Sequence, residues 1–174
     1  AARRLDLIAA AVLNDVGPVL SQRGLTRIAG YAGKQPTFAS WDDAVCHVRD
    51  INACAFPSNP DSEWTKWARR AFEQRDDGQL CPRYDPGIAT SLRSGKLPAT
   101  SLALRLAFRR LTRQRPTLLV RGELSDLVEP RQAAWMRGAA PAMDYAEVAG
   151  VGHAPMLTEP DALEAIRAFM ARVP

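Results

Sequence analysis

The middle of the chain carries apolar residues at helical spacing. A capping box at residues 40–43 (Ser-Trp-Asp-Asp) predicts a helix start, and another helix is predicted over residues 22–31. The first of these helices has one apolar face, formed by Ala44, Val45, Val48, Ile51 and Ala55. A second stripe, after an Asn-Pro pair typical of a helix start, contains Trp64, Trp67, Ala68, Ala71 and Phe72. Strand signal appears only near residues 80–84, so this part is predicted to be a helical block.

On both sides of this block the pattern alternates between strands and helices. Strands are predicted from about residue 8, at residues 116–121 and at residues 143–148, and helices at residues 102–111, 130–137 and from a capping box at residues 158–161 onward. This alternation predicts an α/β fold with a parallel sheet, interrupted by a helical insertion. The expected divisions are 1–18 for a core strand and the preceding helix end, 19–98 for the insertion, and 99–174 for the second part of the core.

Composition narrows the functional classes. The 174 residues are 47% hydrophobic and 24% charged, which is typical of one globular domain. No apolar run approaches the ~20 residues of a membrane span, and the first residues do not resemble a signal peptide. The net charge of +4 is spread over predicted helices, which argues against a nucleic-acid interface. Three cysteines without C-x-x-C spacing favour reduced thiols in the cytoplasm, and two histidines argue against a metal site.

Three polar side chains follow predicted strands. Asp15, Asp126 and His153 each lie in a loop just after a strand, where the carboxyl ends of parallel strands gather ligands. A carboxylate that holds Nδ1 of an imidazole leaves Nε2 free to act as a base. We expect Asp126 and His153 to form this pair. Asp15 is the alternative acid, although an Asn-Asp turn also suits a structural role.

The segments around these residues resemble a known family. Residues 13–18 (Leu-Asn-Asp-Val-Gly-Pro), 120–126 (Val-Arg-Gly-Glu-Leu-Ser-Asp) and 150–155 (Gly-Val-Gly-His-Ala-Pro) are similar to the closing half of an α/β-hydrolase. They resemble the sixth strand, the acid loop after the seventh strand and the histidine loop after the eighth. The helical block resembles the cap (lid) domain that this family carries between strands six and seven. The resemblance implies a small-molecule ester or acyl substrate, a Ser-His-Asp triad, and no metal or organic cofactor.

The family's nucleophile motif is not in this sequence. G-x-S-x-G requires two glycines four residues apart, and none of the 11 glycines is so placed. The nearest imitation, around Ser101, follows no buried strand and is interpreted as a helix cap. The resemblance therefore implies that a companion N-terminal segment or chain carries the serine.

Alternatives remain open at this point. A haloalkane dehalogenase, an epoxide hydrolase or a C–C hydrolase has a similar downstream pair and differs at the missing nucleophile. A non-catalytic pseudo-hydrolase that binds a protein partner is a further alternative. Trp64, Trp67 and Phe72 are candidates for a substrate pocket under the cap, with packing inside the cap as the competing interpretation.

Overall fold

A computed structural model describes residues 4–90 and 99–173 of the chain. The described residues divide into two compact units, one with residues 4–26 and 99–173 and the other with residues 27–90. Residues 19–26, expected in the insertion, thus lie in the first unit. These residues are attached to the first unit by two contacts. Val19 is buried in the core of that unit and forms a β-bridge with Thr100, and the Ser21 amide donates to the Leu127 carbonyl at 2.8 Å. The other expected boundary, at residue 98, lies outside the described residues.

The first unit contains a parallel sheet of three described strands. They are β1 (Ala11–Asn14), β4 (Thr117–Gly122) and β5 (Asp144–Val148), in the order β1-β4-β5, with both pairs parallel. Register places Asn14 opposite Val120, and Gly122 opposite Val148. The carboxyl ends of all three strands therefore meet at one rim of the sheet.

Helices cover both faces of this sheet. They are α4 (Leu102–Gln114), α5 (Pro130–Ala139) and α6 (Pro160–Met170). The first half of α1 (Gln22–Tyr31) also belongs to this unit, and a 3₁₀ turn (Leu5–Leu7) precedes β1. Every residue of β4 is buried, because Leu119 packs towards Met136 of α5, whereas Leu118 packs towards Phe169 of α6. A strand covered on both faces reads as a continuous apolar run, as the sequence did here.

The second unit is helical with one hairpin. It contains α2 (Trp41–Asn52), α3 (Asp61–Ala71), the antiparallel strands β2 (Phe72–Gln74) and β3 (Leu80–Pro82), and a 3₁₀ turn (Pro86–Ala89). Ser40 caps α2 as expected, since its hydroxyl accepts the Asp43 amide at 3.1 Å. Phe72 was expected on the α3 stripe but begins β2 instead, because the chain turns back through Gly78 at φ +82°.

Two helix starts differ from expectation. The N-cap of α3 is Pro60, one residue later than predicted, and the N-cap of α6 is Glu159, where the capping box had placed Thr158. The Glu159 carboxylate accepts the amides of Met156 and Thr158, which precede the helix. Among the helices described, none is long and apolar enough to cross a membrane.

Candidate active site

Asp15 forms the centre of the polar cluster at the sheet rim. It follows β1 directly, is fully buried, and adopts φ +51°, a left-handed conformation that Asp tolerates better than most residues. Its amide donates to the Val120 carbonyl at 2.7 Å, which fixes the backbone against β4. Its Oδ2 lies 2.8 Å from His153 Nδ1 and 2.6 Å from Ser125 Oγ, and its Oδ1 accepts the Gly122 amide at 3.3 Å. A buried carboxylate with three hydrogen-bond partners is well satisfied.

His153 reaches Asp15 because the loop that carries it packs onto the end of β4. The loop is tied down by the Leu124 amide, which donates to the Val151 carbonyl at 2.8 Å. A Cβ on Gly122 would stand 2.6 Å from the Val151 carbonyl oxygen, so only glycine permits this approach. The side-chain nitrogen of Asn14, Nδ2, also donates to the Pro155 carbonyl at 3.0 Å. The imidazole is thereby held across the central strand, with 18% of its side chain exposed.

The structure corrects the expected pairing of His153 with Asp126. The carboxylate at Nδ1 belongs to Asp15, the alternative acid. In the turn after β4, Ser125 is the residue buried towards the site, whereas Asp126 is half-buried and its backbone carbonyl lies against Gly24 of α1. The two residues follow β5 and β1, which are not neighbours in the order β1-β4-β5, so His153 reaches Asp15 across the end of β4.

Two residues of this cluster were missed by the sequence reasoning. Ser125 and Gly122 were interpreted only as loop and strand end, yet both donate a hydrogen bond to Asp15. The available signal was two small residues at the end of the central strand and in the turn after it, Gly122 and Ser125. A glycine and a serine at that position allow close approach and leave a hydroxyl near a neighbouring strand end.

A buried arginine holds the turn that contains Ser125. Arg121 is 2% exposed, and its Nε donates to the Val128 carbonyl at 2.6 Å while a terminal nitrogen donates to the Glu123 carbonyl at 3.2 Å. Its charge is balanced by Glu147. A hydrogen bond from the Tyr145 hydroxyl, and secondarily the Arg121 guanidinium, lower the pKa of Glu147, so this partner stays ionised.

The aromatic residues proposed for a substrate pocket lie in the second unit. Trp67 and Phe72 line an apolar cavity of about 290 Å³, together with the half-buried ring of His47. Trp64 is 3% exposed and stacks on Trp67, with ring centroids 5.5 Å apart, so it packs behind the cavity wall. Ser101, in turn, caps α4 by accepting the Leu104 amide at 3.1 Å.

The chain is similar in sequence and in structure to known hydrolases. No protein-family model matches the chain. The 3-hydroxybutyrate-oligomer hydrolase of Cupriavidus necator is 30% identical over 155 residues, which are 86% of this chain and 52% of the relative. The structure of an α/β hydrolase from Novosphingobium aromaticivorans superposes with a TM-score of 0.84 at 34% identity, covering 95% of this chain and 57% of that one.

A structure with lower sequence identity also superposes on this chain. An esterase from Mycobacterium tuberculosis superposes with a TM-score of 0.67 at 20% identity, covering 98% of this chain and 55% of that one. The chain thus spans a little more than half the length of the proteins it matches. It has the α/β-hydrolase fold, and the prediction of that fold is confirmed.

Proposed function

We propose that this chain supplies the general base and its orienting carboxylate to a hydrolase that cleaves carboxylic esters. His153 is the base and Asp15 is the acid. The observation that carries the proposal is the 2.8 Å contact between His153 Nδ1 and an Asp15 oxygen that is fully buried at the rim of a parallel sheet.

The chemistry follows from the fixed tautomer. With Nδ1–H donated to Asp15, the lone pair of the imidazole is on Nε2. Nε2 takes the proton of an attacking hydroxyl as the new acyl–oxygen bond forms, and returns that proton to the leaving alcohol as the ester bond breaks. In the acyl-enzyme, Nε2 takes a proton from water as the water oxygen bonds to the acyl carbon, and returns that proton to the oxygen of the nucleophile as the acyl–enzyme bond breaks and the acid is released. Asp15 orients the ring and stabilises the imidazolium in both steps.

The nucleophile is proposed to lie on polypeptide outside these 174 residues. The sequence contains no G-x-S-x-G, and the described Ser125 and Ser101 are committed to a turn and a helix cap. In the described residues, β1 pairs with β4 alone. Apolar side chains are exposed near β1, with Leu7 at 71%, Val12 at 37% and Val16 at 41%. An open strand edge beside exposed apolar residues is suited to pairing with a further strand, which is where we place the companion segment.

The substrate class is proposed from the relatives. One relative is named for 3-hydroxybutyrate oligomers, and another is an esterase. We therefore propose esters of short or hydroxylated acids as substrates.

The proposal is tested by completing the fold. This chain is co-expressed with the part of the Novosphingobium aromaticivorans hydrolase that it does not cover, and hydrolysis of p-nitrophenyl butyrate and of a 3-hydroxybutyrate dimer is measured. We expect turnover of at least one ester, and His153→Ala should reduce kcat by on the order of 10³ or more, because the base is lost.

The control is Ser101→Ala, which removes a hydroxyl assigned here to a helix cap. It should leave kcat near that of the unmodified complex, with a small loss of stability. Turnover that survives His153→Ala, or that disappears with Ser101→Ala in a folded complex, would contradict the proposal.

A further inference from the structure

We infer that Ser125 is a positioning residue for the His153–Asp15 pair, whose hydroxyl holds the Asp15 carboxylate in the orientation that receives Nδ1–H. The inference deepens the proposed function, since it matters for turnover only if that pair is the catalytic one. Ser125 is 5% exposed and lies in the turn after β4, one residue before the carboxylate first expected to be the acid.

The direction of the Ser125 hydroxyl proton is determined by its surroundings. The amides of Leu127 and Val128 donate to Oγ at 3.2 and 2.9 Å, so two hydrogens already point at the lone pairs of that oxygen. The hydroxyl hydrogen is then directed to the remaining close acceptor, Asp15 Oδ2, at 2.6 Å. This is a short, charge-assisted hydrogen bond with a donor that cannot rotate away without leaving the two amides.

The carboxylate depends on this bond. Ser125 and His153 both approach Oδ2, whereas Oδ1 has the longer 3.3 Å contact with the Gly122 amide. Without the Ser125 donor, the orientation of the carboxylate about its Cβ–Cγ bond would depend on the His153 contact itself and on the long hydrogen bond from the Gly122 amide. The Nδ1–H bond to Asp15 would then form and break more often.

The same geometry excludes Ser125 as the nucleophile. Its hydroxyl proton is donated to Asp15 and not to the imidazole, and its oxygen is surrounded by two backbone amides in a buried turn. Its contribution acts through Asp15, and Arg121 supports it by holding both ends of the turn.

The experiment measures the lifetime of the His153 Nδ1 proton by NMR in the 174-residue chain labelled with ¹⁵N-histidine. We expect Ser125→Ala to shorten this lifetime by about tenfold, because a hydrogen bond to a charged group is lost. Ser125→Thr should restore it, since the hydroxyl is retained, and Ser125→Cys should be intermediate because a thiol is a weaker donor. An unchanged lifetime in both Ser125→Ala and Ser125→Cys would overturn the inference.

A double-mutant cycle separates positioning from a merely structural role. In an Asp15→Asn background, Ser125→Ala should cause little further change in the proton lifetime, because the group it acts through has been altered. Equal effects in both backgrounds would overturn the inference, as would a change confined to amide exchange at Leu127 and Val128. The cycle requires no hydrolysis, so its failure is distinguishable from a completed complex that proves inactive.

Discussion

The two histidines of the chain occupy contrasting environments. His153 lies at the rim of the parallel sheet with Nδ1 bonded to a fully buried carboxylate. His47 lies in the helical unit between aromatic rings, with centroid distances of 5.1 Å to Phe38 and 6.2 Å to Phe72. Burial lowers the pKa of His47 below its ordinary value of 6.5, against a weaker opposing effect of Asp50. The imidazole of His153 contacts a carboxylate, whereas burial among aromatic rings disfavours the charged form of His47.

The contrast shows that the fold, and not the residue type, decides which histidine contacts a carboxylate. Loops from three adjacent parallel strands converge at the sheet rim, so groups distant in sequence meet: Asp15 and His153 are 138 positions apart. His47 projects from α2 beside the β2–β3 hairpin, where its ring contacts aromatic side chains. Convergence at carboxyl strand ends is a general property of parallel sheets and is why they position catalytic groups.

Replacing the carboxylate that distinguishes these environments should have the largest effect. In the completed enzyme, Asp15→Asn is expected to lower kcat/KM by on the order of 10³ or more, because the amide no longer selects the tautomer with Nε2 free. Asn also tolerates the left-handed backbone at this position, so the fold should persist. Steady-state hydrolysis, with circular dichroism to confirm folding, measures both effects.

The matched control for this prediction is Asp126→Asn. It alters the acid first expected from the sequence and should leave kcat/KM close to that of the unmodified complex. A greater loss from Asp126→Asn than from Asp15→Asn would show that the completed enzyme uses a different pair from the one this structure contains.

Much of the fold was predictable because its signals are local. The bounds of α1, the Ser40 cap of α2 and the buried central strand follow from periodicity, capping and apolar runs. Of the β2–β3 hairpin, only the second strand was predicted. Its first strand begins at Phe72, within an apolar stripe that also suits a helix, and the turn at Gly78 decides the outcome.

The carboxylate that contacts His153 Nδ1 was not predictable from the sequence in the same way. Asp15 and Asp126 both follow strands, and the local pattern favoured Asp126 because an Asn-Asp turn also suits a structural role for Asp15. The choice depends on which side chain is buried in the turn after β4 and on how far the histidine loop crosses that strand. Both are tertiary properties, set by the contact between Gly122 and residues 151–152 and by the burial of Ser125.

Moving His153 away from Asp15 should have the next largest effect. Gly122→Ala places a Cβ 2.6 Å from the Val151 carbonyl oxygen, against backbone that cannot rotate aside. The histidine loop must shift, and a displacement near 1 Å in a catalytic group costs about 10² in rate. We expect kcat of the completed enzyme to fall accordingly, together with a loss of thermal stability.

Gly138→Ala is the control, because a Cβ there meets nothing within 4 Å and the residue lies in α5. It should leave kcat unchanged and stabilise the helix slightly, since alanine is the better helix former. If both alanine variants behave alike, the close approach at Gly122 does not set the position of His153.

The smallest expected effect tests the other histidine. Because burial lowers the pKa of His47, the unfolded chain binds a proton at this ring more readily than the folded chain does. Its contribution to stability is therefore complete above pH 6.5, the ordinary pKa of histidine, and is lost as the pH falls through the lower pKa of the folded chain.

Urea denaturation at pH 7.5 and pH 5.0, compared with His47→Gln, should show that the wild type loses stability relative to the variant on acidification. His153 is present in both chains, so any contribution from it cancels in the difference. A wild type that instead gains stability relative to His47→Gln at low pH would mean that attraction to Asp50 outweighs burial, and the contrast between the two histidines would narrow.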